Sequence, residues 1–344
     1  MDRKIFTSIS FIKKYNMMKE IYSNELDTCM VSWQFTSMCN FACTYCPEEF
    51  HDNKVKFPKY DDALYFLQEF SKNHKKIYIE LLGGETTLWP KLLDFLREIK
   101  KISNVVVQID TNGSRSTRWW EEFNDSDLEM NVILNFSYHG EFCDPDIYYD
   151  NLAEIHEKYQ VVSSFMLDPL HFKKTHKLYN RIKDNLAVDC IYKVLRPNFH
   201  PNKLIDGYTT EMLAEIDKHK GYDRSDKRFP YKRADDDLVM PTTIFVDGKE
   251  KNWQIMLTEK DNSFKNWKCS AGVKRLFIGL DGNIWPCSAL RQWGNDKTHE
   301  DYLGNIHERT YKAREQYMAC PKEYCGCKFD ALAHKYKDET PTTI

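Results

Sequence analysis

No apolar run in this 344-residue chain is long enough to span a bilayer. Residues 1–20 lack a continuous apolar stretch followed by a small-residue cleavage site, so they read as a short helical or irregular leading segment rather than an export signal. Charge of one sign is also missing. Lys and Arg number 49 against 52 Asp and Glu, and a net charge of −3 gives no overall attraction to nucleic acid or anionic membrane. The basic runs Lys72–Lys76, Lys173–Lys177 and Lys218–Arg233 are each broken by acids or aromatics and read as solvated faces. A cytoplasmic protein with neither nucleic acid nor membrane as partner is the expectation. The length and the 42% hydrophobic content suit a large α/β core with an appended module.

Cysteine is the residue present in force. In a cytoplasmic chain, eleven of them point to metal or redox chemistry rather than disulfides. Eight fall into two groups, at 39–46 and 269–327, leaving Cys29, Cys143 and Cys190. The first group is Cys39-x3-Cys43-x2-Cys46, directly after an apolar run, Met30 to Phe35, that reads as a strand. Three thiolates on one short loop can hold three irons of a 4Fe–4S cube and leave the fourth iron to a ligand that is not protein. Zinc competes, but structural zinc usually pairs C-x2-C units and needs a fourth ligand. Buried thiols without metal need no such spacing.

From residue 77 onward, apolar runs start 27 to 30 residues apart: Ile77–Leu82, Val105–Ile109, Val132–Phe136, Val161–Leu167 and Ile191–Leu195. That interval fits a repeated strand-plus-helix unit. Most runs are continuously apolar, as strands of a parallel sheet covered on both faces should be. Between them, Ala63, Phe66, Leu67 and Phe70 form a helical stripe with Asp61 or Asp62 as the cap. Leu92, Phe95, Leu96 and Ile99 repeat the stripe after Pro90, which suits a first turn. Segments 117–128, 147–159 and 172–186 are similar. With the strand before the cysteine loop, this gives six strands and five helices, joined by right-handed crossovers into a curved sheet or partial barrel. A full eight-stranded barrel lacks the residues, since the pattern stops near Pro197. A helical stretch at about 210–220 and a charged linker, Gly221–Asp237, lead to hairpins turning at Asp247-Gly248 and Asp281-Gly282.

Ligands of a parallel α/β sheet bind beyond the C-terminal strand ends. There stand Gly83-Gly84-Glu85-Thr86, where two glycines let the backbone approach a ligand and a carboxylate can accept from an ammonium group. Asp110-Thr111-Asn112-Gly113 ends the third strand and Asn135-Phe136-Ser137-Tyr138-His139 the fourth; Met166, Asp168 and Arg196 follow on the fifth and sixth. Taken with Cys39, Cys43 and Cys46, these motifs resemble the radical S-adenosylmethionine (radical SAM) superfamily. The resemblance implies a partial (β/α)6 barrel, α/β in class, carrying a SAM-binding 4Fe–4S cluster. It places Tyr45 against the adenine, has Gly83, Gly84 and Glu85 hold the SAM amino group, and gives Asn112, Ser137 and His139 to the cofactor pocket, where Arg196 is by position alone a candidate carboxylate partner. Thr86 stands where the family usually has proline.

The second cysteine group is Cys269, Cys287, then Cys320-x4-Cys325-x-Cys327. Residues 274–280 and 283–285 read as a hairpin that returns Cys287 towards Cys269. With Tyr302-Leu303-Gly304-Asn305-Ile306 it resembles the twitch or SPASM auxiliary-cluster region of the same superfamily, which implies one auxiliary 4Fe–4S cluster. One of the five cysteines is surplus, Cys320 or Cys325; zinc on four thiolates is the alternative. The domain expectation is a leading extension 1–27, a core 28–220, a linker and hairpin region 221–262, and an auxiliary-cluster domain with its tail over 263–344.

The chemistry the resemblance implies is reductive cleavage of SAM to a 5′-deoxyadenosyl radical, followed by hydrogen abstraction from an unactivated carbon. The substrate expected is a small molecule such as a sugar, nucleotide or amino-acid derivative, with a flavodoxin- or ferredoxin-type electron donor. The alternatives are a peptide or protein maturase and a non-enzymatic two-cluster electron carrier. The 28 or so residues before the first strand are too few for a leader-binding winged helix. Cys143, just past the fourth strand, is a candidate hydrogen donor to substrate, against a passive half-buried thiol. Cys29 and Cys190 read as core packing.

Overall fold

The structure is a computed structural model that describes residues 19–23, 26–129, 131–197, 203–219, 222–223, 243–252, 256, 261–291 and 297–338. In chain order its elements begin with β1 (Glu20–Ser23), β2 (Thr28–Thr36), α1 (Tyr60–Ser71), β3 (Lys76–Gly83), α2 (Leu92–Lys100), β4 (Val105–Thr111), α3 (Thr117–Asn124) and β5 (Val132–His139). They continue with α4 (Pro145–Ile155), β6 (Gln160–Leu167), α5 (Phe172–Asn185), β7 (Asp189–Val194), α6 (Thr210–Lys218), β8 (Tyr222–Asp223), and the hairpin β9 (Thr243–Val246) and β10 (Lys249–Asn252). The C-terminal part holds β11 (Lys268–Cys269), β12 (Arg275–Ile278), β13 (Asn283–Trp285), β14 (Gly304–Asn305), β15 (Met318–Ala319), α7 (Lys328–Leu332) and β16 (Lys335–Tyr336).

The six expected strands are β2 to β7, paired parallel in sequence order. Alternation along each strand sets which layer it feeds. Ile77, Ile79 and Leu81 of β3 point to the face carrying the stripes of α1 and α2, and all are at most 1% exposed. Burying such a side chain stabilises by about 1.5–3 kcal/mol. On the other face, Met30, Tyr78, Val106 and Ile133 pack against Phe264, Trp267, Phe329 and Leu332 from the C-terminal part. One layer further along, that same face turns polar, with Ser32, Glu80, Gln108, Asn135 and Ser164. The apolar runs are therefore less continuous than two covered faces would require.

Several expectations are corrected. Helix α1 has Lys59 at its N-cap with no side-chain bond, and Asp61 and Asp62 fall inside its first turn. Asp62 is instead drawn to Arg309, 3.2 Å away, and to His307, 3.4 Å away. Pro90 precedes α2, whose N-cap is Lys91, rather than sitting in its first turn. The leading segment contributes a strand, β1, between β16 and β9, because Ile21 and Ser23 alternate inward. Four residues are too few for that alternation to be read as a period.

The C-terminal part does not stand apart from the core. Strand β12 pairs in parallel with β2, making a seventh parallel strand, and β13 and β14 extend the same sheet. The remaining C-terminal strands join β1, β9 and β10 in a six-stranded antiparallel sheet ordered β10-β9-β1-β16-β11-β15. Both expected hairpins are present. Asp247 and Gly248 have φ of 49° and 78°, the pair of positive values a tight two-residue hairpin turn needs. Most of linker 221–237 lies outside the described residues, as does most of the leading extension.

The graft is pinned by a buried ion pair. Arg275 on β12 and Asp330 in α7 are 0% and 2% exposed, with Nη2 2.8 Å from Oδ1. The Ser288 hydroxyl donates to the other oxygen at 2.6 Å. Arg275→Ala strands the carboxylate and should cost about 3–5 kcal/mol, read as a lower urea midpoint. A loss below about 1 kcal/mol, the value of an exposed pair, would show that the pair is not anchoring the graft.

Candidate active site

The first cysteine group lies on the loop that leaves β2, and this loop is folded back on itself. Ser37 N–H donates to the Val55 carbonyl at 3.0 Å, the Ser37 hydroxyl to Asp52 at 2.7 Å, and Cys39 N–H to the Asn53 side chain at 2.9 Å. Asn53 holds a left-handed φ of 58°, which asparagine tolerates. Cys46 N–H donates to the Cys43 carbonyl at 3.0 Å, which curls the three cysteines into one turn. Cys43 is buried; Cys39 and Cys46 are half-buried. Burial pushes the Cys43 thiol up to about 12 and Cys46 to about 11, and raises Cys39. Cys43 and Cys46 also feel the negative charge of neighbouring cysteines and Cys39 that of Glu85, so three thiolates are stable here only around a cation. The donor set fits three irons of a cube.

Gly83 and Gly84 explain where the loop sits. Gly84 N–H donates to the Thr36 carbonyl and Glu85 N–H to the Met38 carbonyl, both at 2.7 Å. A Cβ on Gly83 would stand 2.4 Å from the Thr36 oxygen, and one on Gly84 2.2 Å from the Met38 oxygen. Gly83 also has φ +131°, a conformation other residues rarely adopt. The close backbone approach expected of these glycines is thus made to the cysteine loop.

Glu85 is held from several sides by the fold. It is 0% exposed, and its carboxylate accepts from Thr87 N–H at 3.0 Å, the Thr87 hydroxyl at 2.5 Å, the Thr111 hydroxyl at 2.6 Å and Asn112 N–H at 2.6 Å. Through both oxygens the side chain ties the end of β3 to the end of β4. Asn112, 6% exposed, is similarly used: its amide donates to Asn40 at 3.0 Å and accepts from Ser114 N–H at 3.0 Å. It positions the cysteine loop from the β4 side.

The rest of the mouth divides into open and occupied groups. Tyr45 and His139 are half-buried, stacked with centroids 6.0 Å apart, and joined from the Tyr45 hydroxyl to Nδ1 at 2.8 Å. The same Nδ1 lies 3.4 Å from Cys43 Sγ. Burial, helped by Lys193, brings His139 down to about 4, so it is neutral at pH 7. Ser137, Met166 and Arg196 are half-buried on the rims of β5, β6 and β7. Asp168 is turned away, accepting from Leu170 N–H at 3.0 Å and facing His171 Nδ1 at 2.6 Å. Cys143 is 5% exposed, its thiol aimed at the Asn112 carbonyl at 3.5 Å and pushed up to about 12 by burial. That is a packing position rather than a substrate-facing one. Glu141 went unread in the sequence: it accepts from Thr44 N–H at 2.9 Å and from the Thr44 hydroxyl, bracing the cysteine turn. Its signal was only nearness to His139.

The second group converges on a cavity. Cys269, Cys287, Cys320 and Cys325 line it together with Ala271, Leu290 and Ala333. Cys325 is fixed by Asn262, whose carbonyl accepts its N–H at 3.0 Å and whose amide donates to its carbonyl at 2.6 Å. Cys320 N–H donates to the Trp267 carbonyl at 2.8 Å. Cys327 does not line the cavity. It precedes α7 and lies 3.9 Å from Arg275 Nη2, whereas Cys320 and Cys325, between which the sequence left the surplus thiol open, both line the cavity. Four thiols in an apolar pocket fit a fully cysteine-held cluster. Among the described residues, no three His, Cys, Asp or Glu side chains close on one point at single-ion distance.

Residues 33–140 match the family model described as the radical SAM superfamily. The GTP 3′,8-cyclase of Clostridium perfringens is 30% identical over 123 residues, 34% of this chain and 37% of that protein. A protein of Brachyspira hyodysenteriae named GTPase Obg is 39% identical over 82 residues, 22% of this chain and 12% of that protein. The chain spans at most 42% of the first curated relatives it matches. Among solved structures, Streptococcus suis SuiB bound to S-adenosylmethionine is 12% identical, with a TM-score of 0.49, covering 88% of this chain and 67% of that one.

Two substitutions separate the loop's anchor from its neighbour. Gly84→Ala should dislodge the first cysteine loop and leave about half the iron of the wild type after anaerobic reconstitution. Cys143→Ala should cost about 1 kcal/mol of stability, through a small cavity, while 5′-deoxyadenosine release stays at the wild-type rate. Lost release in a folded Cys143→Ala protein would restore the hydrogen-donor role.

Proposed function

We propose, on the premise that residues 33–140 form a radical SAM domain, that this chain cleaves S-adenosylmethionine reductively and removes a hydrogen atom from an unactivated carbon of a small molecule. The observation that carries the reading is the Cys39, Cys43 and Cys46 turn, clamped through Gly84 and Glu85 to the C-terminal end of the parallel sheet. When bound there, a 4Fe–4S cube with one open iron and SAM supply a 5′-deoxyadenosyl radical once an electron arrives from a flavodoxin- or ferredoxin-type donor.

The residues of the chain bind, orient and enclose. Cys39, Cys43 and Cys46 would hold three irons, and the Thr44–Glu141 contact keeps their turn facing β5. Tyr45, stacked on His139 and bonded to its neutral ring, presents a flat surface for an adenine. Ser137 and Arg196 on the rim suit ribose hydroxyls and a carboxylate. With the Glu85 carboxylate engaged elsewhere, an amino group at this strand end would be met by backbone rather than by that side chain. Phe41, stacked on Phe142 at 5.3 Å, and Tyr138 keep the surroundings apolar, which limits quenching of a reactive intermediate.

Cys269, Cys287, Cys320 and Cys325 would hold an auxiliary 4Fe–4S cluster, which supplies a one-electron acceptor. Four cysteine donors leave no open position for substrate, which favours net oxidation over ligation of substrate.

Iron and sulfide counting after anaerobic reconstitution tests both sites. About eight irons per chain are expected, falling by about four, with no 5′-deoxyadenosine formed, when Cys39, Cys43 and Cys46 are all alanine. Continued release by that triple variant would overturn the reading. Cys327→Ala should keep about eight irons, whereas Cys325→Ala should lose up to about four.

A further inference from the structure

The polar layer of the sheet face opposite α1–α5 holds charged groups that neither cysteine site uses. Register aligns Ser32 with Glu80 and Gln108, Asp110 with Asn135, and Met166 with Lys193. The neutral members satisfy one another. Tyr78 donates to Gln108 at 2.7 Å, and Gln108 donates to Glu80 at 3.2 Å and to Asp110 Oδ1 at 2.6 Å. Asn135 adds a second bond to Oδ1 at 2.9 Å, Ser32 donates to Glu80 at 2.9 Å, and Ser164 to Asn135 at 2.9 Å.

The charges are left facing one another without touching. Lys193 and Lys328 act electrostatically on Asp110, and Lys328 on Glu80 as well, yet neither lysine makes a hydrogen bond or ion pair with a described residue. Asp110 Oδ2 likewise receives no donor among the described residues. Burial pushes Glu80 up to about 7 and raises Asp110, so direct bonds do not compensate these carboxylates. All four residues are nonetheless only half-buried, so each keeps solvent-accessible surface and protein does not enclose them completely. Below them the recess is closed by Met30, Tyr78, Val106, Ile133 and Phe329. An occupant therefore enters at the strand ends, where the first cysteine loop stands. Charged groups separated across a half-buried gap gain most from a ligand that bridges them, because the alternative is desolvation without a partner.

We infer that this recess is the substrate subsite and takes a small molecule with an anionic group, carboxylate or phosphate, for Lys193 and Lys328, and with hydroxyl or ammonium donors for Glu80 and Asp110. The inference rests on the proposed radical SAM reading and narrows its substrate class. A neutral nucleoside or an apolar side chain leaves two ammonium groups and a carboxylate oxygen unmatched.

Equilibrium dialysis of the anaerobically reconstituted full chain with SAM tests this, using glucose 6-phosphate, glucosamine 6-phosphate, glutamate, inorganic phosphate, glucose and adenosine as probes. At least one organic anion should bind about tenfold or more tighter than glucose, adenosine and inorganic phosphate. Whether glutamate or a sugar phosphate leads tells carboxylate from phosphate. Lys328→Met and Asp110→Asn should each weaken that probe by about tenfold or more. No retention of any organic anion, equal retention of neutral probes or bare phosphate, or affinity unchanged in both variants would overturn the proposal. Probe selectivity of the wild type reads the outcome even if a variant fails to fold. Release of 5′-deoxyadenosine by the same wild-type preparation is scored separately. Release without selective binding sinks the recess alone, and absence of release sinks the reading beneath it.

Discussion

Two backbone hydrogen bonds, from Gly84 to Thr36 and from Glu85 to Met38, hold the cysteine loop onto the end of the sheet. They form only because the chain at Gly83 and Gly84 has no Cβ to meet the carbonyls of Thr36 and Met38. The geometry of three thiols depends on that contact, since the loop carries no regular structure of its own beyond a short turn after Cys46. Behind the contact, Glu85 gathers donors from its own turn and from β4, so the ends of two strands and the loop move as one body. Burial still raises its pKa despite those donors, because desolvating a carboxylate outweighs several neutral hydrogen bonds.

A second constraint is the pairing of β12 with β2. It makes the strand that leads to the first cysteine loop the direct neighbour of β12, whose hairpin partner β13 leads to Cys287. The two cysteine sites are therefore supported by one hydrogen-bonded ladder, and their relative position is set by register rather than by a flexible linker. The Arg275–Asp330 pair closes the joint from below, where an unpaired charge would be costly. The same joint supplies Lys328 and Phe329 to the open face of the core sheet, so the C-terminal part helps form the recess as well as the auxiliary site.

Within the core, local pattern was enough. The spacing of apolar runs gave β3 to β7, and the stripes at Ala63–Phe70 and Leu92–Ile99 gave α1 and α2. The cysteine turn was legible because metal ligation demands closely spaced donors of one type. Side-chain direction was not legible. Glu85, Asn112 and Asp168 sit at the strand ends where ligands bind, yet each is turned into the fold by donors that only the folded chain brings near. Cys143 went the same way, since its burial depends on the turn at Gly140, packed on His171, and on Asn112 from another strand.

The amino-acid order by itself determined the repeating strand-and-helix core, the glycine pair and the two cysteine groups, because each rests on contacts within a few dozen residues or on a residue's own stereochemistry. Tertiary structure alone decided which cysteines of the second group line one cavity and that the C-terminal hairpin lengthens the core sheet. It also decided that Glu80, Asp110, Lys193 and Lys328 come within electrostatic reach of one another on one sheet face. Those outcomes join positions up to 248 residues apart, such as Glu80 and Lys328, and no local spacing encodes which side chains meet when such distant strands are laid in register.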